Sequence, residues 1–227
     1  MTIITEALKY SAAGDELHGH LAYDDAISGE RPGVLIIHEW WGLNDYMRER
    51  AAQIAGLGYA ALALDMYGEG KVGSSADEAG ALMTTVLNDM DTGTARLQAG
   101  FDALAGHSLV DKARIGSIGY CFGGFVSWIS SCQLSHVSAA VCYYGGGIVT
   151  RLDTPPRCPV MMHFGALDSM IPLSDIDKIR AAQAGVDINI YDSAEHGVNC
   201  DHRSSYQKKA ASTALDRTLT FLSSHIG

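Results

Sequence analysis

No uninterrupted apolar run approaches the roughly 18 residues that a membrane span requires. The first residues, MTIITEALKY, lack a basic segment followed by an apolar one. These two absences predict no span and no secretion signal, and make the cytoplasm the expected compartment. Charge is sparse, at 19% against the roughly 25% usual in globular proteins, while 47% of residues are hydrophobic. Disordered, collagen-like and coiled-coil chains are thereby excluded, and a large buried core is expected. Base is scarcer than acid: 16 lysines and arginines face 26 aspartates and glutamates, for a formal charge of -10. Such a surface repels phosphate backbones and anionic lipid, which argues against nucleic acid or a membrane surface as partner.

The five cysteines include no CxxC pair, and their number is odd. Free thiols in a reducing compartment are expected, with no zinc site. The five prolines are scattered, and there is no repeat, no low-complexity tract and no linker. Residues 1–227 are therefore expected to form a single domain, with a monomer as the default.

What the chain does contain is alternation. Residues 3–10 and 16–23 read as a pair of edge strands around a turn at Gly14 and Asp15. Val34 to Ile37 is a continuous apolar run, the pattern of a buried parallel strand. A helix is predicted from Tyr46 to Leu57 and a strand from Tyr59 to Leu64. Residues 76–105 suit one or two helices, broken between Asp91 and Gly93. A strand over Arg114–Gly119, a helix over Phe122–Cys132 and strands over Ala139–Tyr144 and Val160–Phe164 follow. A helix over Asp175–Ala184, a strand over Asp187–Tyr191 and a closing helix over Tyr206–Ser224 complete the reading. This order specifies an α/β fold, with a mostly parallel central sheet of about seven or eight strands and helices on both faces. Function in such sheets collects at the carboxyl ends of the strands.

The sharpest feature in such a position is Gly119-Tyr120-Cys121-Phe122-Gly123. This is the G-x-C-x-G form of the nucleophile elbow, a strained turn from strand into helix with a cysteine at its apex. Glycines stand where the turn leaves no room for a side chain. The helix N-terminus favours a thiolate at Cys121. A nucleophile of this kind needs a base, and the base needs an orienting acid. Asp168, after the strand at 160–164, and His196, after the strand at 187–191, supply both in the order the elbow demands. His38-Glu39-Trp40-Trp41-Gly42 follows the first buried parallel strand. In this architecture that loop supplies one oxyanion-hole donor, assigned to the Trp40 N–H, and the Phe122 N–H supplies the other. Glu39 would point into the same site and hold the thiol proton.

Asp65 reads as a turn or capping residue, and Cys132, Cys142 and Cys158 as inert core. Cys200 reads as structural. Met83, Met90, Met161 and Met162 read as core filling, and Asp187 and Asp192 as solvated.

The chain resembles the dienelactone hydrolase (carboxymethylenebutenolidase) family of the α/β-hydrolase fold over almost its whole length. The resemblance rests on His38 through Asn44, Gly58-Tyr59-Ala60, Leu64 through Gly68, the Gly-Tyr-Cys-Phe-Gly-Gly elbow and Tyr143-Tyr144-Gly145. His196-Gly197, Arg203, Tyr206 and Asp216 through Leu219 extend it. It implies a triad of Cys121, His196 and Asp168, and a thiol held at rest toward Glu39 until substrate displaces that carboxylate. The implied chemistry is opening of a small-molecule lactone or ester through an acyl thioester, without metal or cofactor.

In the family, arginines grip a substrate carboxylate. Here residues 67–95 contain no arginine and only one lysine, Lys71, and Cys200 stands four residues past His196. Arg203 and Lys71 are the candidate substrate-binding bases. Trp41 and Tyr144 are the candidate aromatic lining. Two alternatives stay open, a broad-specificity carboxylesterase or thioesterase and a non-catalytic ligand-binding protein of the same fold.

Overall fold

The computed structural model describes residues 2–227. Eight strands, mostly parallel, and six helices alternate along them. They group into two compact units, one ending at Ser117 and the other running from Ile118 to Gly227.

The first unit opens with β1 (Ile3–Ala12) and β2 (Asp15–Asp24), an antiparallel hairpin in which Ala12 faces Asp15. Only Ala13 (φ 53°) and Gly14 (φ 89°) are left to turn the chain, and positive φ at both is what a tight two-residue hairpin demands. β3 (Arg31–Ile37), α1 (Asp45–Ala55) and β4 (Ala60–Ala63) follow, with β3 and β4 parallel. The strand order in this unit is β1-β2-β4-β3. Val34 to Ile37 are all buried, as a strand covered on both faces must be.

α2 (Ala76–Asn88) and α3 (Met90–Ala105) share Asp89, which closes one and caps the other. Its N–H donates to the Val86 carbonyl, and its carboxylate accepts the Thr92 N–H. The break expected at 91–93 thus falls two residues earlier. Gly93 is not a breaker. A Cβ there would lie 3.0 Å from Val86 Cγ1, so the glycine lets the two helices approach.

Asp65, just beyond β4, is buried and accepts four backbone N–H groups, from His18, Tyr67, Gly68 and Gly70, at 2.8–3.1 Å. It is a turn residue, as expected, and it also ties the 65–70 loop to β2. β5 (Val110–Tyr120) begins four residues before the predicted strand and ends in the second unit.

The second unit adds α4 (Phe122–Gln133), β6 (Ala139–Tyr143), β7 (Val160–Gly165), α5 (Leu173–Ala182), β8 (Asp187–Tyr191) and α6 (Lys208–His225). β6, β7 and β8 are parallel neighbours. Trp128, Tyr143, Tyr144 and Phe164 are fully buried and form much of its core. Cys132, Cys142, Cys200, Met161 and Met162 are buried too, whereas Cys158, Met83 and Met90 are only half-buried. α5 starts directly after Pro172, whose fixed φ suits a helix entry. α6 starts two residues later than predicted, because the Tyr206 N–H closes a turn onto the Arg203 carbonyl. None of the five cysteines is joined in a disulfide. Among the described residues no helix is long and apolar enough to cross a membrane.

Candidate active site

Cys121 sits between β5 and α4 with φ 54° and ψ −115°, a conformation that costs a non-glycine residue free energy. Three backbone hydrogen bonds hold it there. Its N–H donates to the Tyr143 carbonyl at 3.0 Å, and its carbonyl accepts the N–H groups of Gly124 and Phe125. A Cβ on Gly119 would lie 1.8 Å from the Gly123 carbonyl oxygen, and one on Gly124 would lie 2.4 Å from that of Tyr143. Gly119 and Gly124 are therefore steric requirements of the turn. The Cys121 side chain makes no capping bond to α4.

The acid and the base arrive on loops that bond to each other. Leu167 N–H donates to the Ala194 carbonyl at 2.9 Å. A Cβ on Gly165 would lie 2.3 Å from that same oxygen. Asp168 is buried. Its Oδ1 accepts the Met170 N–H at 2.9 Å, and its Oδ2 accepts the His196 Nδ1–H at 2.7 Å. His196 Nε2 lies 3.2 Å from Cys121 Sγ, so sulfur, imidazole and carboxylate form one hydrogen-bonded chain.

Burial alone would lower the His196 pKa. The hydrogen bonds to Asp168 and Cys121 and their negative charges outweigh it, and the pKa rises to about 10. The imidazole is a cation at neutral pH. The Tyr144 ring meets it edge-on, with centroids 5.1 Å apart. Tyr144 itself is fully buried, at a φ of 37°. Gly197 follows His196 at φ 77°, and the Arg203 guanidinium packs over it, 3.0 Å from where a Cβ would stand. This half-buried arginine lies beside the histidine loop.

The remaining sequence candidates belong to the first unit. Glu39 is buried, and Trp40 and Trp41 are half-buried with their rings edge to face at 5.0 Å. Every carbonyl of this loop from Glu39 to Trp41 is held. His38 Nδ1–H donates to the Glu39 carbonyl at 2.6 Å, Tyr67 Oη–H to that of Trp40 at 2.8 Å, and Gly73 N–H to that of Trp41 at 2.9 Å. His38 Nε2 accepts the Met66 N–H at 3.2 Å, so the ring is the neutral Nδ1–H tautomer. Complete burial pushes its pKa down to about 4, consistent with that form. Lys71 is exposed and paired with Glu69 at 2.8 Å.

Two buried histidines carry only a weak signal in the sequence: His38, at the head of the segment after the first buried strand, and His163, inside the apolar run Val160–Phe164, where a histidine implies a polar partner beneath it.

The solved structures that the fold matches include a dienelactone hydrolase from Anabaena variabilis, with a TM-score of 0.75, 18% identity and complete coverage of both chains. A dienelactone hydrolase-like promiscuous phosphotriesterase from metagenomic libraries matches with a TM-score of 0.88 and 26% identity, again with complete coverage of both. The architecture is that of the α/β-hydrolase fold. In sequence, the carboxymethylenebutenolidase of Pseudomonas putida is 27% identical over 231 residues, which cover 97% of each chain. The model of the dienelactone hydrolase family matches residues 17–226, nearly the whole chain and both of its units. The chain belongs to the dienelactone hydrolase family, a family of lactone- and ester-type hydrolases.

Proposed function

We propose that the protein opens a lactone or ester through an acyl thioester on Cys121, with His196 as proton carrier and Asp168 as its orienting acid. The observation that carries this reading is the chain from Cys121 Sγ through His196 to Asp168, at 3.2 and 2.7 Å, built on a strained elbow.

In the first step the Cys121 thiolate attacks the carbonyl carbon, forming the carbon–sulfur bond and moving the π electrons onto oxygen. The Phe122 N–H at the start of α4 receives that oxyanion, such a donor being worth about 2.7–4 kcal/mol. Collapse breaks the carbon–oxygen bond, and the imidazolium of His196 gives its proton to the leaving oxygen. A water then attacks the thioester while His196 takes its proton, and the carbon–sulfur bond breaks to regenerate the thiolate. One hydrolase domain runs through both units in this reading.

Which carbonyl compound is used turns on charge. A dienelactone-type anion needs a cation to grip it. Arg203 beside the histidine loop is the base that can meet this need. The exposed, Glu69-paired Lys71 and the absence of arginine from residues 67–95 favour the second reading, a broad carboxylesterase acting on neutral esters.

Steady-state rates on an anionic dienelactone and on p-nitrophenyl acetate, for the wild type and Cys121→Ala, test both. The reading expects loss of turnover in the variant, and a thioester adduct at Cys121 by mass spectrometry of the quenched wild type. Undiminished hydrolysis by Cys121→Ala would end it.

A further inference from the structure

Three residues in the carboxyl-terminal halves of parallel strands in the second unit share a property. Tyr143 of β6 presents its carbonyl to the Cys121 N–H at 3.0 Å. His163 of β7 presents its carbonyl to the N–H of Tyr144, whose ring meets His196, at 2.8 Å. Tyr191 of β8 presents one carbonyl to two N–H groups, Ala166 on the acid loop at 2.9 Å and Ala194 on the histidine loop at 3.1 Å. The backbones of these three residues therefore set where the nucleophile, the acid and the base begin.

Their side chains are tied to one another as well. His163 Nδ1 lies 2.9 Å from Tyr191 Oη, and His163 Nε2 lies 3.0 Å from Thr218 Oγ1 on α6. Thr218 Oγ1 lies 2.7 Å from Tyr143 Oη. Tyr143, His163 and Thr218 are all buried.

The direction of the protons follows from one end. The Arg217 guanidinium, which can only donate, lies over the Tyr191 ring at 5.6 Å and reaches its oxygen at 3.5 Å. Tyr191 O–H then donates to His163 Nδ1, His163 Nε2–H to Thr218, and Thr218 O–H to Tyr143. Burial, with the Arg217 charge beside it, drives the His163 pKa down to about 3, so the ring stays neutral, as this arrangement requires. A neutral, fully bonded ring among satisfied hydroxyls can persist in the core, where an unpaired one could not.

We infer that His163 and Thr218 are positioning residues: through one buried brace they hold the ends of β6, β7 and β8 in register, and thereby hold Cys121, Asp168 and His196 at reacting distance. The inference rests on the triad reading and adds to it the groups that keep the triad aligned. Misplacing a reacting group by about 1 Å costs on the order of 10²-fold in rate, so a slackened brace has a large effect at a distance.

Thr218→Val tests it, because the shape is kept and only the hydroxyl is lost. The readouts are kcat and KM on p-nitrophenyl acetate, together with the pH dependence of iodoacetamide alkylation at Cys121, followed on its peptide by mass spectrometry. Expected are a fall in kcat of about tenfold or more with KM within about twofold, a changed alkylation profile, and recovery to within about twofold in Thr218→Ser. Tyr143→Phe removes the neighbouring hydroxyl while keeping the ring, and is expected to behave alike should Thr218→Val not fold. If either folded variant keeps both kcat and the alkylation profile of the wild type, even with a lower melting temperature, the brace is overturned. If the wild type hydrolyses no ester, the hydrolase reading fails, and alkylation alone still decides whether the brace positions Cys121.

Discussion

His196 donates through Nδ1 to a buried carboxylate and faces a sulfur through Nε2, and both neighbours favour its charged form. The proton that the proposed reaction hands to a leaving group is therefore present throughout the neutral range. It is lost as pH rises through about 10, where the alkaline limb of the proposed acylation is expected. Asp168→Asn removes one charge and weakens the hydrogen bond that raises this pKa. In kcat/KM measured from pH 6 to 11, the alkaline limb of the variant is expected at lower pH than in the wild type. An unmoved limb would separate Asp168 from the titration of His196.

The residues that meet in the Cys121–His196–Asp168 hydrogen-bonded chain were legible, because each lies beside a local signal: a glycine pair around Cys121, and a strand end before Asp168 and before His196. The brace was not. Tyr143, His163, Tyr191 and Thr218 are 20 to 75 positions apart and share no spacing that a helix or strand period would reveal.

Among the elements, the strands of continuous apolar character were the clearest, since burial on both faces leaves no other composition for them. Boundaries set by contacts across elements were less so. Gly93 looks like a helix breaker in isolation, yet it serves the approach of α2 and α3, while Asp89 does the breaking. β5 is longer than its apolar run because its first residues, Val110 to Ala113, include polar ones that only pairing reveals as strand. Helix entry follows simpler rules. Asn44 caps α1 by accepting the Met47 N–H at 3.3 Å. Asn44→Ala is expected to lower the unfolding free energy by about 1 kcal/mol, measured by urea denaturation. No loss of stability would mean that the tertiary contacts of α1 alone fix its start.

Over the whole molecule, the buried histidines set opposing slopes of stability with pH. His38 and His163 have folded pKa values of about 4 and 3, below the roughly 6.5 of an unfolded histidine. The unfolded chain binds these protons first, so stability falls as pH drops below about 6.5 and continues to fall toward those values. His196 moves the other way. Its contribution is complete below about 6.5 and disappears as pH rises through about 10. Burial of Cys158, which pushes its pKa up to about 12, adds to the alkaline loss. The urea midpoint is expected to peak near pH 6.5 and decline on both sides. A midpoint that still climbs between pH 7 and 9 would contradict this assignment. The Asp65 carboxylate works on another timescale. Four amides point at it, three of them in a loop outside any ladder, and each can trade its hydrogen with solvent deuterium only when that loop opens away from the carboxylate. An irregular stretch of chain is thereby expected to show the slow isotope exchange of a strand.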